Sequence, residues 1–506
     1  MAGAATDCGR LSALAPGDIA DASYRLINSL ADGTTSETAY DTALVSELRT
    51  IDDDRRLAFP SALTWLRSHQ HADGSWGGRI EVPHDRLIST LAVMVRLCAV
   101  REPWAASAVQ QGQQYLHRHA TDWQTSPHET VAFEILVPHL LDDARTWELP
   151  LPYSAFDAIA QMGAEKLRRM PCDHLYCRPT TLVHSLEFLG DDLDCERVGN
   201  LRSQNGAFGN SPSATAFVLR HVDDPRSEAY LRRSMAVSLN GGACTVYPIE
   251  IFEKAWVLYN LGPAAQQIPG AAAQLAYLRE SSRAGAIGMS REGLTADSDD
   301  TGMVHTLLHR QGEETNLDVL LPFEQEGCFS CFPYERNSSV GANAHVLDAF
   351  VSSWDRWRHA ATIRKILAYL RSTRLDGAYW YDKWHLSPFY ATSQVALAAR
   401  EVDGDLVTSI VSWLLETQRA DGSWGWFGGT CEETAYAMQV LLAGGLHMDS
   451  HRRAALDRGA RYLTERFDDT DYPELWVGKS LYTPYPIVQA AVIGALQQYQ
   501  TLQVRR

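Results

Sequence analysis

Gln70-His-Ala-Asp73-Gly74-Ser75-Trp76-Gly77 recurs 348 positions later as Gln418-Arg-Ala-Asp421-Gly422-Ser423-Trp424-Gly425, changed at one residue in eight. Gln204-Asn-Gly206-Ala-Phe208-Gly209 is a weaker third copy. Each residue type suits a junction between helices. Gln closes a helix end, Gly takes the turn, and Trp packs over the joint to tie a helix pair together. The copies imply two related helical domains, and the stretch from Gly262-Pro263 to Pro269-Gly270 reads as the junction between them.

The flanking sequence has the matching period. Asp85 to Val100 and Ala342 to Ala349 place apolar residues at i, i+3, i+4 and i+7. Strand-like alternation is scarce, and turn pairs recur at Asp73-Gly74, Asn205-Gly206, Asn240-Gly241-Gly242 and Asp421-Gly422. Medium helices joined by short turns predict an all-α chain of paired-helix barrels or solenoids, not a parallel sheet. At 506 residues the chain exceeds one ordinary core.

Charge narrows the class of partner. Forty-five Lys+Arg against 62 Asp+Glu leave a formal charge of −17, so no basic face is expected for nucleic acid and no polybasic handle for anionic lipid. A phosphate-bearing ligand must then be held by a few local cations or by a metal. The start, MAGAATDCGRLSALAPGD, lacks the features of a secretion signal, and no run of about 18 apolar residues offers a membrane span. Nine scattered cysteines, at 8, 98, 172, 177, 195, 244, 328, 331 and 431, fit a reduced, cytoplasmic chain. Cys328-Phe-Ser-Cys331 has no second pair or histidine cluster beside it, so zinc or redox duty is not expected there.

Asp297-Ser-Asp299-Asp300-Thr301 follows a Gly-containing turn and opens a helical run. Acids at a helix N-terminus are ordinary, because the dipole favours them. Three carboxylates within four residues are less ordinary, since they cannot all ionise cheaply and one is pushed toward its protonated form. A carboxylic acid kept neutral beside hydrogen-bond partners is a general acid. With 14 Trp, 20 Tyr and 14 Phe available as lining, such an acid could protonate an alkene and leave a carbocation steadied by π faces.

The D-x-D-D motif with the Q-x-x-D-G-S-W repeats resembles the class II terpene cyclases, and further stretches narrow the likeness to class II diterpene cyclases of the copalyl diphosphate synthase kind. These are Thr38-Ala-Tyr40-Asp41-Thr42, His84-Asp85-Arg86-Leu, Phe133-Glu134, Pro179-Thr-Thr-Leu-Val-His184-Ser-Leu-Glu187, Ser211-Pro-Ser-Ala-Thr, Tyr381-Asp382-Lys383-Trp384 and Gly478-Lys479-Ser-Leu-Tyr482. They stand in the family's order from about residue 36 to 486. The resemblance implies a βγ pair of α/α barrels. Residues 1–50 would begin the β domain, 51–262 form the inserted γ domain, and 263–506 complete the β domain with the acidic motif. It also implies geranylgeranyl diphosphate as substrate, a bicyclic product that keeps its diphosphate, Mg²⁺ as the ion, and a downstream class I terpene synthase as a pathway partner.

Residue roles follow from the same likeness. Asp299 would deliver the proton, Asp297 and Asp300 would position and tune it, and His345 would hydrogen-bond the acid. Lys166, Lys383 and Lys479 match diphosphate-side lysines, with Arg86 a weaker candidate. The plant family's EDxxD-like stretch is degenerate here, which leaves Asp122 and Glu129 as the candidate Mg²⁺ ligands. His184 matches the histidine that holds the deprotonating water in plant ent-copalyl enzymes, and its asparagine partner is replaced by Thr245. A hydroxyl holds water with a different geometry from an amide, so copalyl, hydroxylated labdane, and rearranged halimane or clerodane skeletons all stay open. Tyr379, Trp380, Tyr381, Trp384, Phe389 and Tyr390 could line a hydrocarbon pocket or simply be core.

Other functions make different demands. Class I ionisation needs a D-D-x-x-D run, and Asp191-Asp192, Asp223-Asp224 and Asp468-Asp469 all lack its later acid. A squalene-type cyclase shares the motifs but not a need for diphosphate-handling lysines. A helical binding scaffold, a zinc-dependent prenyltransferase subunit and an α/α-barrel glycosidase are the remaining alternatives.

Overall fold

The computed structural model describes residues 16–504 apart from 52, 101, 170–174, 178–179, 334, 336 and 444–447. Cys8, Cys172 and most of the N-terminal stretch that was read for a signal lie outside the described residues. The seven described cysteines are free thiols, among them Cys328 and Cys331.

Helices divide into two kinds by the shape of their apolar surface. Glu250–Leu261, Ser298–Arg310, Val340–Ser352, Pro388–Ala399, Cys431–Leu442 and Tyr485–Val504 are buried on nearly every face over most of their length. Such helices can only stand inside a core. Each packs against the next, and Tyr485–Val504 closes the ring on Glu250–Leu261. Between them in sequence come Ala271–Ser282, Ala360–Ser372, Gly404–Thr417 and Ser450–Glu465, which with Pro16–Ser29 bury a stripe only and form the outer layer. These outer helices, and the 3₁₀ segment Leu317–Phe323 between Ser298–Arg310 and Val340–Ser352, return the chain each time, so the inner helices run parallel and their N-termini share one mouth of the barrel. Asp297, Ser339, Ser387 and Thr430 cap four of them there.

A second ring is built likewise from Ala39–Ser46, Pro83–Leu97, Phe133–Thr146, the 3₁₀ segment Thr181–Asp192 and Pro212–Leu219. Its outer helices include Pro60–Ser68, Pro103–His119, Asp157–Arg168 and Pro225–Ala236. One core gathers residues 19–30 with 246–496, the other 39–247. The chain therefore changes core between Leu30 and Ala39 and again around Val246–Ile249. The divisions at 50 and 262 expected from sequence fall later than these crossings, because Ala39–Ser46 and Glu250–Leu261 are inner helices of opposite barrels.

The tryptophan repeat is a structural pin. Trp76 Nε1 donates to Leu66 O (2.8 Å) and Trp424 Nε1 to Leu414 O (2.7 Å), in each case the carbonyl ten residues back at a helix end. Gln70 Nε2 donates to Gly74 O and Ala108 O, and Gln418 Nε2 to Gly422 O and Ala455 O, which sew the turn to the next outer helix. Gly74 and Gly422 stand at φ +96° and +91°, and a Cβ on either would come within 2.5 and 2.7 Å of a backbone carbonyl oxygen. A third full pin escaped the sequence reading. Trp380 Nε1 donates to Leu370 O (2.8 Å) and its N–H to Thr392 Oγ1, as Trp76 does to Thr90 and Trp424 to Thr434.

The barrels are strapped together by a short hairpin, Trp476–Val477 paired antiparallel with Leu481–Tyr482. Leu475, Val477 and Leu481 pack with Val82 and Leu386 in a small core between the two rings. Asp85 Oδ1 accepts from Ser480 Oγ (2.5 Å) and from Leu481 N–H (3.1 Å), so the His84-Asp85-Arg86 helix start grips the hairpin.

Candidate active site

The acidic triad sits at the shared N-terminal mouth, and its members are not equivalent. Asp297 is the N-cap of Ser298–Arg310 and accepts the Asp300 N–H at 2.7 Å. Asp297 and Asp300 are buried, whereas the Asp299 side chain keeps 17% of its surface open. Burial, followed by the charge of Asp299, pushes Asp297 up to about 7. Burial and the neighbouring Asp297 and Asp299 push Asp300 well above the ordinary carboxyl range. Two acids therefore brace the turn, and the one between them reaches outward.

Asp299 meets a single strong partner. His345, in the second turn of the next inner helix, places Nδ1 2.5 Å from Asp299 Oδ1. Its Nε2 stands 3.1 Å from Gln394 Oε1, an acceptor, so Nε2 carries a proton and Nδ1 is the nitrogen that faces the acid. Burial pulls the imidazole down, but the Asp299 charge and the hydrogen bonds to Asp299 and Gln394 outweigh it and hold His345 above its ordinary value. Trp256 meets His345 edge-on at 5.1 Å and donates to Tyr390 OH at 2.9 Å. From Trp256 a run of rings continues through Phe252 (4.5 Å) to Trp476 (5.5 Å), whose indole N–H is held by buried Glu432 at 2.8 Å. Aromatic faces thus connect the acid to the hairpin.

The hairpin turn touches both termination candidates. Lys479 Nζ donates to His184 O at 2.9 Å, and a Cβ on neighbouring Gly478 would lie 3.1 Å from Thr245 Oγ1. His184 Nδ1 faces Gly209 O at 2.8 Å and so donates, which leaves Nε2 as a lone-pair acceptor. Burial, then the charge of Lys479, holds His184 down at about 4, neutral across the physiological range. Thr245 Oγ1 is buried and finds no hydrogen-bond partner among the described residues.

Lys479 itself is not available to a diphosphate. It is fully buried, with Nζ on Glu187 Oε1 (2.8 Å), Ser211 Oγ (2.7 Å) and Ser213 Oγ (2.5 Å), and Asp41 Oδ1 at 3.9 Å. This corrects the reading of Lys479 as a substrate lysine. Lys383 is also displaced from that reading. It is paired with Glu335, donates to Asn337 O (2.6 Å), and feels the charge of Asp299, which puts it at the acid end of the site. Burial lowers it to about 8. Arg86 is buried and donates to Ser75 Oγ (2.7 Å), bracing the first tryptophan pin. Lys166 alone keeps an open face, with 39% of its side chain exposed beside Glu134 Oε1 at 2.7 Å.

The residues expected to hold Mg²⁺ do not form a cage. Asp122 is exposed and accepts from His119 Nδ1 at 2.8 Å, and Glu129 is exposed too. No group of three or more His, Cys, Asp or Glu among the described residues is placed to hold a metal ion. A preformed divalent site does not fit this donor set.

Gln394, Trp256 and Glu432 are site-building residues that the sequence reading passed over, and Glu187 was quoted in a matching stretch without a role. Gln394 had a signal, the one amide in Pro388–Ala399, whose remaining residues are apolar apart from Tyr390, Thr392 and Ser393. The others are single polar or aromatic residues in buried helices, with partners fixed by long-range packing.

Comparison with known proteins agrees with this geometry. Residues 336–479 match the squalene-hopene cyclase C-terminal domain family. The chain is 32% identical over 484 residues to a type B diterpene cyclase of Mycobacterium tuberculosis, covering 91% of this chain and 95% of that protein. It is 33% identical over 496 residues to an ent-copalyl diphosphate synthase of Streptomyces sp. (strain KO-3988), covering 93% of each. The solved ent-copalyl diphosphate synthase of Streptomyces platensis superposes with a TM-score of 0.79 at 31% identity, over 95% of this chain and 99% of that one. No helix among the described residues is long and apolar enough to cross a membrane.

Proposed function

The chain belongs to the class II diterpene cyclase family, and from that premise we propose that Asp299 protonates the terminal alkene of geranylgeranyl diphosphate and starts closure of a bicycle that keeps its diphosphate. Substrate and product are isomers, so the enzyme is an isomerase. The observation that carries the reading is the Asp299–His345 contact at 2.5 Å, with Gln394 fixing the imidazole tautomer.

The proton can be followed. With Nε2–H on Gln394, a neutral His345 would take the Asp299 proton as a hydrogen bond and withhold it. An imidazolium instead donates Nδ1–H to Oδ1 and leaves a second proton on Oδ2 free to leave. The charge of an ionised Asp299 is what raises His345, so the imidazolium is favoured in the ion pair that proton transfer leaves behind. The imidazolium's donated hydrogen bond draws charge from the carboxyl and makes the Oδ2 proton more acidic, which an aliphatic alkene requires. After transfer, the Asp299 carboxylate is left in an ion pair, and the carbocation moves along the rings of Trp256, Phe252 and Trp476.

Deprotonation ends the reaction. His184, neutral with a free Nε2, and the Thr245 hydroxyl would hold the water that removes the last proton. His184→Ala is expected to change the ratio of products more than total turnover, read by mass spectrometry of the dephosphorylated alcohols. An unaltered profile removes His184 from termination. Lys166 remains the candidate for the diphosphate. A product that retains its diphosphate is a substrate for an ionising class I synthase, the downstream partner this reading implies, and the free thiols fit a reduced cytoplasmic setting.

The test of the whole reading is direct. Purified protein with geranylgeranyl diphosphate and Mg²⁺, followed by phosphatase, is expected to give a bicyclic alcohol isomeric with geranylgeraniol. Recovery of geranylgeraniol alone, or turnover of squalene instead, sinks it.

A further inference from the structure

The inner helices begin at the acid and end at a second opening. Ser298–Arg310 carries Asp299 in its first turn and Arg310 in its last, about 17 Å apart at the rise of an α-helix. At that far mouth lies a cavity of 480 Å³, a size typical of small-molecule sites. Leu258, Leu307 and Leu397 form apolar wall, and Arg310 and Arg400 stand in the same lining.

The charges there do not balance. Asp348, buried, takes Arg310 Nη2 at 2.6 Å and Tyr259 OH at 2.8 Å. Burial opposes its ionisation, but the charges of Arg310 and then Arg400 outweigh that and keep it below the usual carboxylate range. Arg310 is paired with this carboxylate, whereas Arg400 is in no ion pair among the described residues and donates Nη1 to Leu397 O at 2.5 Å, and Arg310 Nε is buried without an acceptor among the described residues. In a chain of net charge −17 this is a local surplus of positive charge over a hydrocarbon wall. A partly buried guanidinium is best satisfied by a planar or tetrahedral oxyanion, and the leucines select for an apolar body attached to it.

We propose that this far cavity is a second ligand site, which takes an amphipathic organic anion with one carboxylate or phosphate head on Arg400 and Arg310 and its hydrocarbon against the leucines. The site is separate from the acid mouth, and its occupancy needs no turnover.

Palmitate and geranylgeranyl monophosphate are the two probes, each titrated calorimetrically into the full chain below micelle concentrations. Arg400→Gln removes the half-exposed cation, and Leu397→Trp fills the cavity. Thermal melts of both variants at the wild-type value confirm that they fold. One equivalent of probe is expected to bind the wild type in an Arg400-dependent way, at least about tenfold weaker in Arg400→Gln, as for loss of one charge-assisted hydrogen bond, and abolished in Leu397→Trp. Dependence seen with palmitate assigns the site to fatty carboxylates, and dependence seen only with the prenyl phosphate assigns it to isoprenoid phosphates. Any binding of the prenyl phosphate at the acid mouth is an additional equivalent that both variants retain. If neither probe shows binding that depends on Arg400 and Leu397, the proposal is overturned. A chain that binds here yet forms no bicycle would overturn the cyclase reading and leave this one standing.

Discussion

Asp299→Asn is expected to stop bicycle formation, with turnover falling by about a thousandfold or more, as for loss of a positioned general acid. The amide keeps the shape of the carboxyl and the approach to His345 but holds no proton acidic enough for an alkene. Neither neighbour can substitute, because Asp297 is tied to the Asp300 N–H as a cap and both are buried away from the opening. The same variant has a signature in stability. Asp297 is held at about 7, above its ordinary 3.8, so folding favours its protonated form. That contribution is complete below pH 3.8 and is lost as pH rises through about 7. Wild-type melting temperature is therefore expected to lose this contribution as pH rises from about 4 to about 7. Asn at 299 removes one of the charges that raise Asp297 and Asp300, so the loss is expected to be smaller in the variant. Wild-type turnover by Asp299→Asn would place the proton donor elsewhere.

What the sequence disclosed about the fold was what local geometry dictates. The Gln–Asp–Gly–Ser–Trp pins were legible because every element of the pin lies within eight residues, and Asp73 and Asp421 both accept from the serine two residues on. The pin at Trp380 was not, because Asp376-Gly377-Ala378-Tyr379-Trp380 keeps the turn glycine and the tryptophan but lacks the Gln and Ser. Tyr379, Tyr381, Phe389 and Tyr390 then looked like one aromatic group with Trp380, although Trp380 pins a helix end and Tyr390 holds Trp256 beside His345. The domain crossings were misplaced for a related reason. Gly262-Pro263 is a real break, but Glu250–Leu261 belongs with Tyr485–Val504, more than 200 residues away, and only packing shows it.

The site divides in the same way. The acid triad is contiguous, but crowding in sequence did not say which member is pushed up, and burial raises Asp297 and Asp300. His345 meets Asp299 across 46 positions and Gln394 meets His345 across 49, so one came from the family pattern and the other only from coordinates. Lysines are the hardest to assign. In sequence, Lys166 and Lys479 are each a lysine in a stretch that matches the family pattern. In the fold one is on an open helix face, and the other is sealed among four acceptors between His184 and Ser213.

Lys479→Met distinguishes those two kinds of lysine. A substrate lysine lost to methionine would leave a stable chain with a raised KM. Lys479 is instead the counter-ion of Glu187, which burial alone would push up but which the ammonium and its hydrogen bond pull below the ordinary range. Removing it strands a buried carboxylate, with Asp41 at 3.9 Å losing the same charge, and the expected cost is about 3–5 kcal/mol of unfolding free energy by denaturant titration. The sign with pH follows. A depressed Glu187 adds stability above its unfolded value and loses it as pH falls, so wild type and Lys479→Met should converge in stability toward acid pH. Neutralising the stranded group is expected to return much of the loss, so that Lys479→Met with Glu187→Gln is more stable than Lys479→Met alone. Because Nζ also holds His184 O, the surviving activity should show an altered product ratio even where the fold is recovered. A Lys479→Met chain with wild-type stability and only a raised KM would return this lysine to the diphosphate.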